Sequence, residues 1–271
     1  MDTNELMQIS LELVGMKEIP ADSAIYVPGR DISHILYGID IGIAELQYAK
    51  EHDFDCVIAH HPIGLTNHWK VFNRHLDQMV SKGISKEKAL EVIKRKMLIF
   101  KTISHANNYD AVTSFARLLN IPFLNIHCPS DELGRRLITQ SIEELMKSIE
   151  NPTLKSLIDH LTNKFYEFQK AKTSIEILKG QTEDLLGNWI FSHGAFTNGG
   201  SELAKLYYEV GVNTVIYIHI APSELLQLLN LEKGSLIITG HLASDSIGIN
   251  PFLNVLEDKN IEITAIGGLI R

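Results

Sequence analysis

The sequence predicts an α/β protein. Three observations predict it: short apolar runs that stop at histidine or glycine, amphipathic stretches between them, and a β-α-β unit near the N-terminus that implies parallel strands. Leu6, Ile9 and Leu13 recur at helical spacing over residues 3–14, and Gly15 ends that helix. Residues 34–40 (HILYGID) read as a strand, 43–52 as a helix, and Cys56–Ala59 as a short buried strand running into His60, His61 and Pro62. Residues 71–100, rich in Lys, Glu and Leu with a break near Gly83, predict two exposed helices. A polar turn (SHANNYD, 104–110), a helix (111–119) and a strand (121–126) follow.

Residues 129–185 contain little glycine and carry amphipathic stretches, so they predict an inserted helical or α+β subdomain. Beyond them the alternation returns, with strands at 188–191, 214–220, 235–240 and 261–270. The intervening helices cover 201–211 and 222–230, and a third, over 244–258, is interrupted by Gly248 and Pro251. Residues 1–128 and 186–271 together therefore make one α/β core drawn from both chain halves.

Composition narrows the function. With 25 Lys plus Arg against 33 Asp plus Glu, the net charge of -8 argues against a nucleic-acid binder, which needs clustered cations. Two cysteines are too few for a disulfide framework, no apolar run reaches a membrane span, and MDTNELMQIS has neither the cationic region nor the apolar core of a signal peptide, so a cytoplasmic protein is expected. The 12 histidines stand out, because three of them close apolar strand-like runs.

His60 and His61 are delivered to the carboxyl end of a strand, where parallel sheets place their ligand sites. Either they are metal ligands, or His60 is a core histidine and His61 is solvated. His241 ends another strand, and if a helix starts there Asp245 lies about 400° further on, on the same face. Asp245 then either ligates or caps the helix. His105 and Asp110 flank an Asn pair before a helix, where Asp110 also fits an N-cap. Such nitrogen and oxygen donors without matching cysteines suit Zn, Fe, Mn or Co. The glycine loop SHGAFTNGGSE (192–202) could present backbone N–H groups to an anion, or could be a plain strand-to-helix turn. His193 and His219, near strand ends, are the candidates for catalytic proton transfer, whereas His34, His52, His68, His75, His127 and His160 read as surface or packing residues.

In order, Ile39–Asp40, VIAHHPIG, SHANNYD, the SHGAFTNGG loop and TGHLASDS resemble the Nif-three-like dinuclear metal-centre family, whose members are often named GTP cyclohydrolase 1 type 2. The resemblance covers most of the chain. It implies a two-lobed α/β fold with parallel-rich sheets, two divalent ions per chain in the cleft, and a hexameric homo-oligomer. Carried over by position, His60, His61, Asp110, His241 and Asp245 are the implied ligands, with His105 in or beside the site. The activity implied is hydrolysis of a small-molecule substrate, a nucleotide or phosphoester. The alternative is a non-catalytic protein that holds, delivers or senses metal.

Overall fold

The computed structural model describes residues 1–271 and contains eleven α-helices and nine strands in two mixed sheets. The first half runs α1 (Thr3–Val14), β1 (Ala24–Val27), β2 (His34–Gly38), α2 (Ile43–Glu51), β3 (Cys56–Ala59), a 3-10 turn (His68–Arg74), α3 (His75–Ser81), α4 (Lys86–Ala106), α5 (Ala111–Leu119) and β4 (Phe123–Asn125). Next come α6 (Cys128–Ser148), α7 (Leu154–Lys164), α8 (Tyr166–Lys170) and β5 (Glu176–Lys179). The chain closes with β6 (Trp189–Phe191), α9 (Gly200–Glu209), β7 (Thr214–Tyr217), α10 (Pro222–Leu229), β8 (Ser235–Ile238), α11 (His241–Glu257) and β9 (Glu262–Ile266).

The two sheets repeat one plan. The first has order β1-β4-β3-β2-β9 and the second β5-β8-β7-β6, each with an antiparallel edge strand beside parallel neighbours. Because β3 and β7 are buried at every position, covering layers must lie on both faces of each sheet. Phe252, Leu253 and Leu256 of α11 join the core of the first sheet, while its Ala243 and Ile247 join that of the second. Segment 72–93 crosses from the first half to cover the second sheet, placing Phe72, Met79 and Ile93 against Tyr207 and Val215.

Residues 129–185 supply most of α6, with α7, α8 and β5, and these pack into the second lobe: Ile138, Leu157 and Phe168 share a core with Phe191 and Ile237. Three local expectations are corrected. Residues 104–106 are the last turn of α4 rather than part of a loop. The strand expected to reach Ile220 stops at Tyr217. And α11 runs unbroken through Gly248 and Pro251, starting at His241. Gly248 is a spacer there: an added Cβ would lie 2.1 Å from the Ser130 carbonyl oxygen and 3.0 Å from the Gly134 nitrogen, so only glycine lets α6 and α11 cross this closely.

Candidate metal centre

The carboxyl ends of parallel strands from both sheets converge on one cavity of about 330 Å³. The ladder with β2 continues past β3, His60 N–H donating to Gly38 and His61 N–H to Ile39, so the two rings leave the strand in succession. Tyr26 fixes the turn that follows: its hydroxyl accepts from the N–H groups of Ile63 and Gly64 and donates to Asn125, whose amide in turn holds the carbonyl of His60. Two helix starts supply the acids. Asp131 lies in the first turn of α6 and Asp245 near the start of α11, and the Gly134–Gly248 crossing draws the two turns together.

The donor atoms face one another. His60 Nε2 lies 3.3 Å from Asp131 Oδ1 and 3.7 Å from Asp245 Oδ2. Asp245 Oδ2 is 3.0 Å from His241 Nε2 and 3.8 Å from His61 Nε2, and the Nε2 atoms of His61 and His241 are 3.1 Å apart. Two groups, His60/Asp131/Asp245 and His61/His241/Asp245, could each hold an ion, and Asp245 belongs to both; His60, His61 and His127 form a third such group. A tetrahedral ion with bonds of about 2.0–2.1 Å keeps its donors about 3.3 Å apart, which these separations match.

The outer nitrogens are committed. His60 Nδ1 donates to the Ile126 carbonyl, His61 Nδ1 to Asp40 and His127 Nδ1 to Asp22. A carbonyl can only accept, so a neutral His60 must carry its proton on Nδ1 and turn a bare Nε2 lone pair inward, the arrangement that orients metal-binding imidazoles. Four buried atoms of the cluster, His60 Nε2, Asp131 Oδ1, His193 Nε2 and Asp245 Oδ2, have no hydrogen-bond partner. Buried polar atoms are costly when left unpaired, so this convergence is what an ion would satisfy.

Charge follows the same geometry. Burial would raise the carboxyls of Asp131 and Asp245, but His127 and His193 around the first, and His241 and His60 around the second, hold both below the usual carboxylate range. Burial would lower His127, yet Asp131, Asp22 and Asp245 push it up to about 9. His219 opens on the cavity beside His241 and is drawn down to about 4, by desolvation first and then by that neighbour.

Of the expected site residues, the structure brings together His60, His61, His193, His219, His241 and Asp245 around the cavity. It leaves His105 and Asp110 outside the cluster. His105 is exposed on the last turn of α4; Asp110 is half-exposed, bonded to Thr113 and Arg117, and stands before α5 in the N-cap position. Asp131 and His127 occupy the place expected of that pair; His127, read as a packing residue, sits among the donors. A signal for both existed: HCPSDELG (127–134) and HLASDSIG (241–248) share the pattern H-x-x-S-D-x-x-G. At the α9 end of the glycine loop the Ser201 N–H is already taken by Glu224, which also pairs with Lys96, and the Gly200 N–H by Asn198.

A NIF3 superfamily protein from Sphaerobacter thermophilus matches the chain with a TM-score of 0.96 and 41% identity over 99% of each chain. Reduced HcgD from Methanocaldococcus jannaschii shares the fold at 10% identity and TM-score 0.55, over 98% of this chain and 97% of its own. So does a Staphylococcus aureus hypothetical protein, at 12% identity and TM-score 0.54, over 98% and 96%. No family model and no curated protein matches the chain.

Proposed function

Because the chain belongs to the NIF3 superfamily and gathers buried histidines and aspartates around one cavity, we propose that it is a two-metal hydrolase acting on a small nucleotide or phosphoester. The observation that carries this reading is the convergence of four partnerless buried atoms, those of His60, Asp131, His193 and Asp245. His60, Asp131 and Asp245 would hold one ion and His61, His241 and Asp245 the other, with Asp245 shared. Two divalent ions there, Zn, Fe, Mn or Co, supply Lewis acidity toward a substrate oxygen and acidify water. The chain's own residues do the rest. Asp40, Asp22 and the Ile126 carbonyl hold three imidazoles in one tautomer and orientation. His219, facing the cavity outside both ligand groups, takes the proton-transfer role, and His193 supports Asp131 from 3.6 Å.

A cavity large enough for a substrate favours catalysis over metal storage. The test is a screen of nucleotides and phosphoesters with and without chelator. Chelator-sensitive turnover supports the hydrolase, whereas two bound ions with no turnover across the panel identify a metal carrier. No helix is long and apolar enough to cross a membrane. We propose a cytoplasmic setting, consistent with two buried cysteines left unpaired, and a homo-hexamer, consistent with Leu98, Ile103 and Leu118 lying open on α4 and α5. Light scattering well above 30.4 kDa would support the assembly, and a monomer would remove it.

A further inference from the structure

We propose, building on the reading above, that Arg74, His75 and Gln78 are positioning residues: together they clamp the 193–197 loop so that His193 stays against Asp131, and thereby set how tightly the ion at Asp131 is held. Three observations carry this. First, the three side chains occupy the i, i+1 and i+4 positions of a single helical turn, and each grips a different carbonyl of the loop. Gln78 Nε2 donates to His193 at 2.7 Å, Arg74 Nε to Gly194 at 3.1 Å, and His75 Nε2 to Thr197 at 2.6 Å. Arg74 also pairs with Glu132 at 3.4 Å. One guanidinium therefore ties the neighbour of His193 to the neighbour of Asp131, the two residues that meet at 3.6 Å.

Second, the loop has no ladder of its own. The last rung is Ser192 N–H donating to the Ile216 carbonyl, and no backbone–backbone hydrogen bond involves residues 193–197. Phe196 has φ +74°, a left-handed backbone that a bulky side chain keeps only where its surroundings over-determine it. The bonds that fix the loop backbone here come chiefly from segment 74–78, which belongs to the first half of the chain. Just beyond, Asn198 donates to the His219 carbonyl, so the same loop also reaches the residue assigned to proton transfer.

Third, Gln78 keeps its amide at a cost. Its Oε1 is buried without a partner, and the side chain cannot turn over to relieve it, because the His193 carbonyl only accepts. A methionine would fill similar space with no orphaned oxygen, so what the amide contributes is the donor that fixes His193. His193 is then an outer partner of Asp131, and outer partners that orient a metal ligand are typically worth about 10- to 100-fold in metal affinity.

The test uses the full-length protein, titrated with Co²⁺, and three readouts: the methyl NMR signals of the fully buried Ala195 and Ala204, the visible bands of bound Co²⁺, and the melting temperature. In Gln78→Met the Ala195 signal should shift and broaden while that of Ala204 in α9 stays in place. One Co²⁺ equivalent should weaken by about 10- to 100-fold with the other retained, at a melting temperature close to that of the wild type. Arg74→Met should behave alike, and Arg74→Lys, which keeps a donor for the Gly194 carbonyl, should recover most of the affinity. The proposal is overturned if Gln78→Met leaves the Ala195 signal and both Co²⁺ affinities unchanged, or if Arg74→Lys loses as much as Arg74→Met. Equal weakening of both ions together with a lowered melting temperature would also overturn it, since that signifies a damaged fold. A wild-type chain that takes up no Co²⁺ removes the hydrolase, and the hold on His193 is then decided by the Ala195 signal alone: changed in Gln78→Met it stands, unchanged it falls.

Discussion

Replacing Gly248 with alanine tests how the acids are brought together. The new Cβ would sit 2.1 Å from the Ser130 carbonyl oxygen, about 1.3 Å short of an ordinary 3.4 Å contact, and the obstacle is helix backbone that cannot rotate away. Overpacking of this kind costs typically 1–3 kcal/mol. The higher helix propensity of alanine returns about 1 kcal/mol, so a net loss of up to about 2 kcal/mol is expected, or at most a few degrees in melting temperature. The larger effect falls on the centre. If α11 moves from α6 by about 1 Å, Asp245 Oδ2 leaves the position from which it faces His60 at 3.7 Å, and metal bonds tolerate only about 0.2 Å. Metal content by elemental analysis, beside thermal unfolding, should show Gly248→Ala depleted in metal while still folded. Gly134→Ala, whose Cβ would meet the Ser244 carbonyl oxygen at 3.2 Å, should lose much less. Full metal occupancy and an unchanged melting temperature in Gly248→Ala would refute the reasoning.

Other expectations follow from single contacts. Asp131→Asn should lose metal, whereas Asp110→Asn, which only releases Arg117 and Thr113, should retain it; elemental analysis of the two variants compares them directly. His75 is fully buried and lowered to about 4, by desolvation despite the Thr197 carbonyl it bonds. Its folded pKa lies below the unfolded value of about 6.5, so its contribution is complete above pH 6.5 and is lost as pH falls from there toward 4, by up to about 3 kcal/mol. Denaturant titrations of wild type and His75→Gln should therefore diverge in slope across that window, and parallel curves would count against it. Glu224→Ala leaves the largely buried Lys96 with only Glu202, at 4.0 Å, and should cost up to about 3 kcal/mol in the same assay, while Lys96→Met combined with Glu224→Leu should recover much of the loss.

The strand runs that carry His60, His61 and His241 were legible because a buried parallel strand is apolar throughout and its end is marked by the first polar residue. The i, i+4 step from His241 to Asp245 was legible for the same reason, since a helix beginning at a strand end has only one face toward the site. Asp131 was not. HCPSDELG carries a proline and two acids, and Asp131 lies in the 129–185 stretch whose composition suggested a separate subdomain, although its own helix packs on α11 and the second sheet. The edge strands β1 and β5 were missed because each has only four residues, half-exposed and without clean alternation. Gly248 was read as a break because sequence alone does not distinguish a glycine that ends a helix from one that admits a neighbouring helix.

Anomalous scattering at the metal edge from crystals grown with a single divalent metal tests the central claim most directly. The account predicts two peaks per chain, roughly 3.5–4 Å apart, one among His60, Asp131 and Asp245 and the other among His61, His241 and Asp245. A single peak, no peak at saturating metal, or an ion bound by Asp110 in place of Asp131 would contradict it.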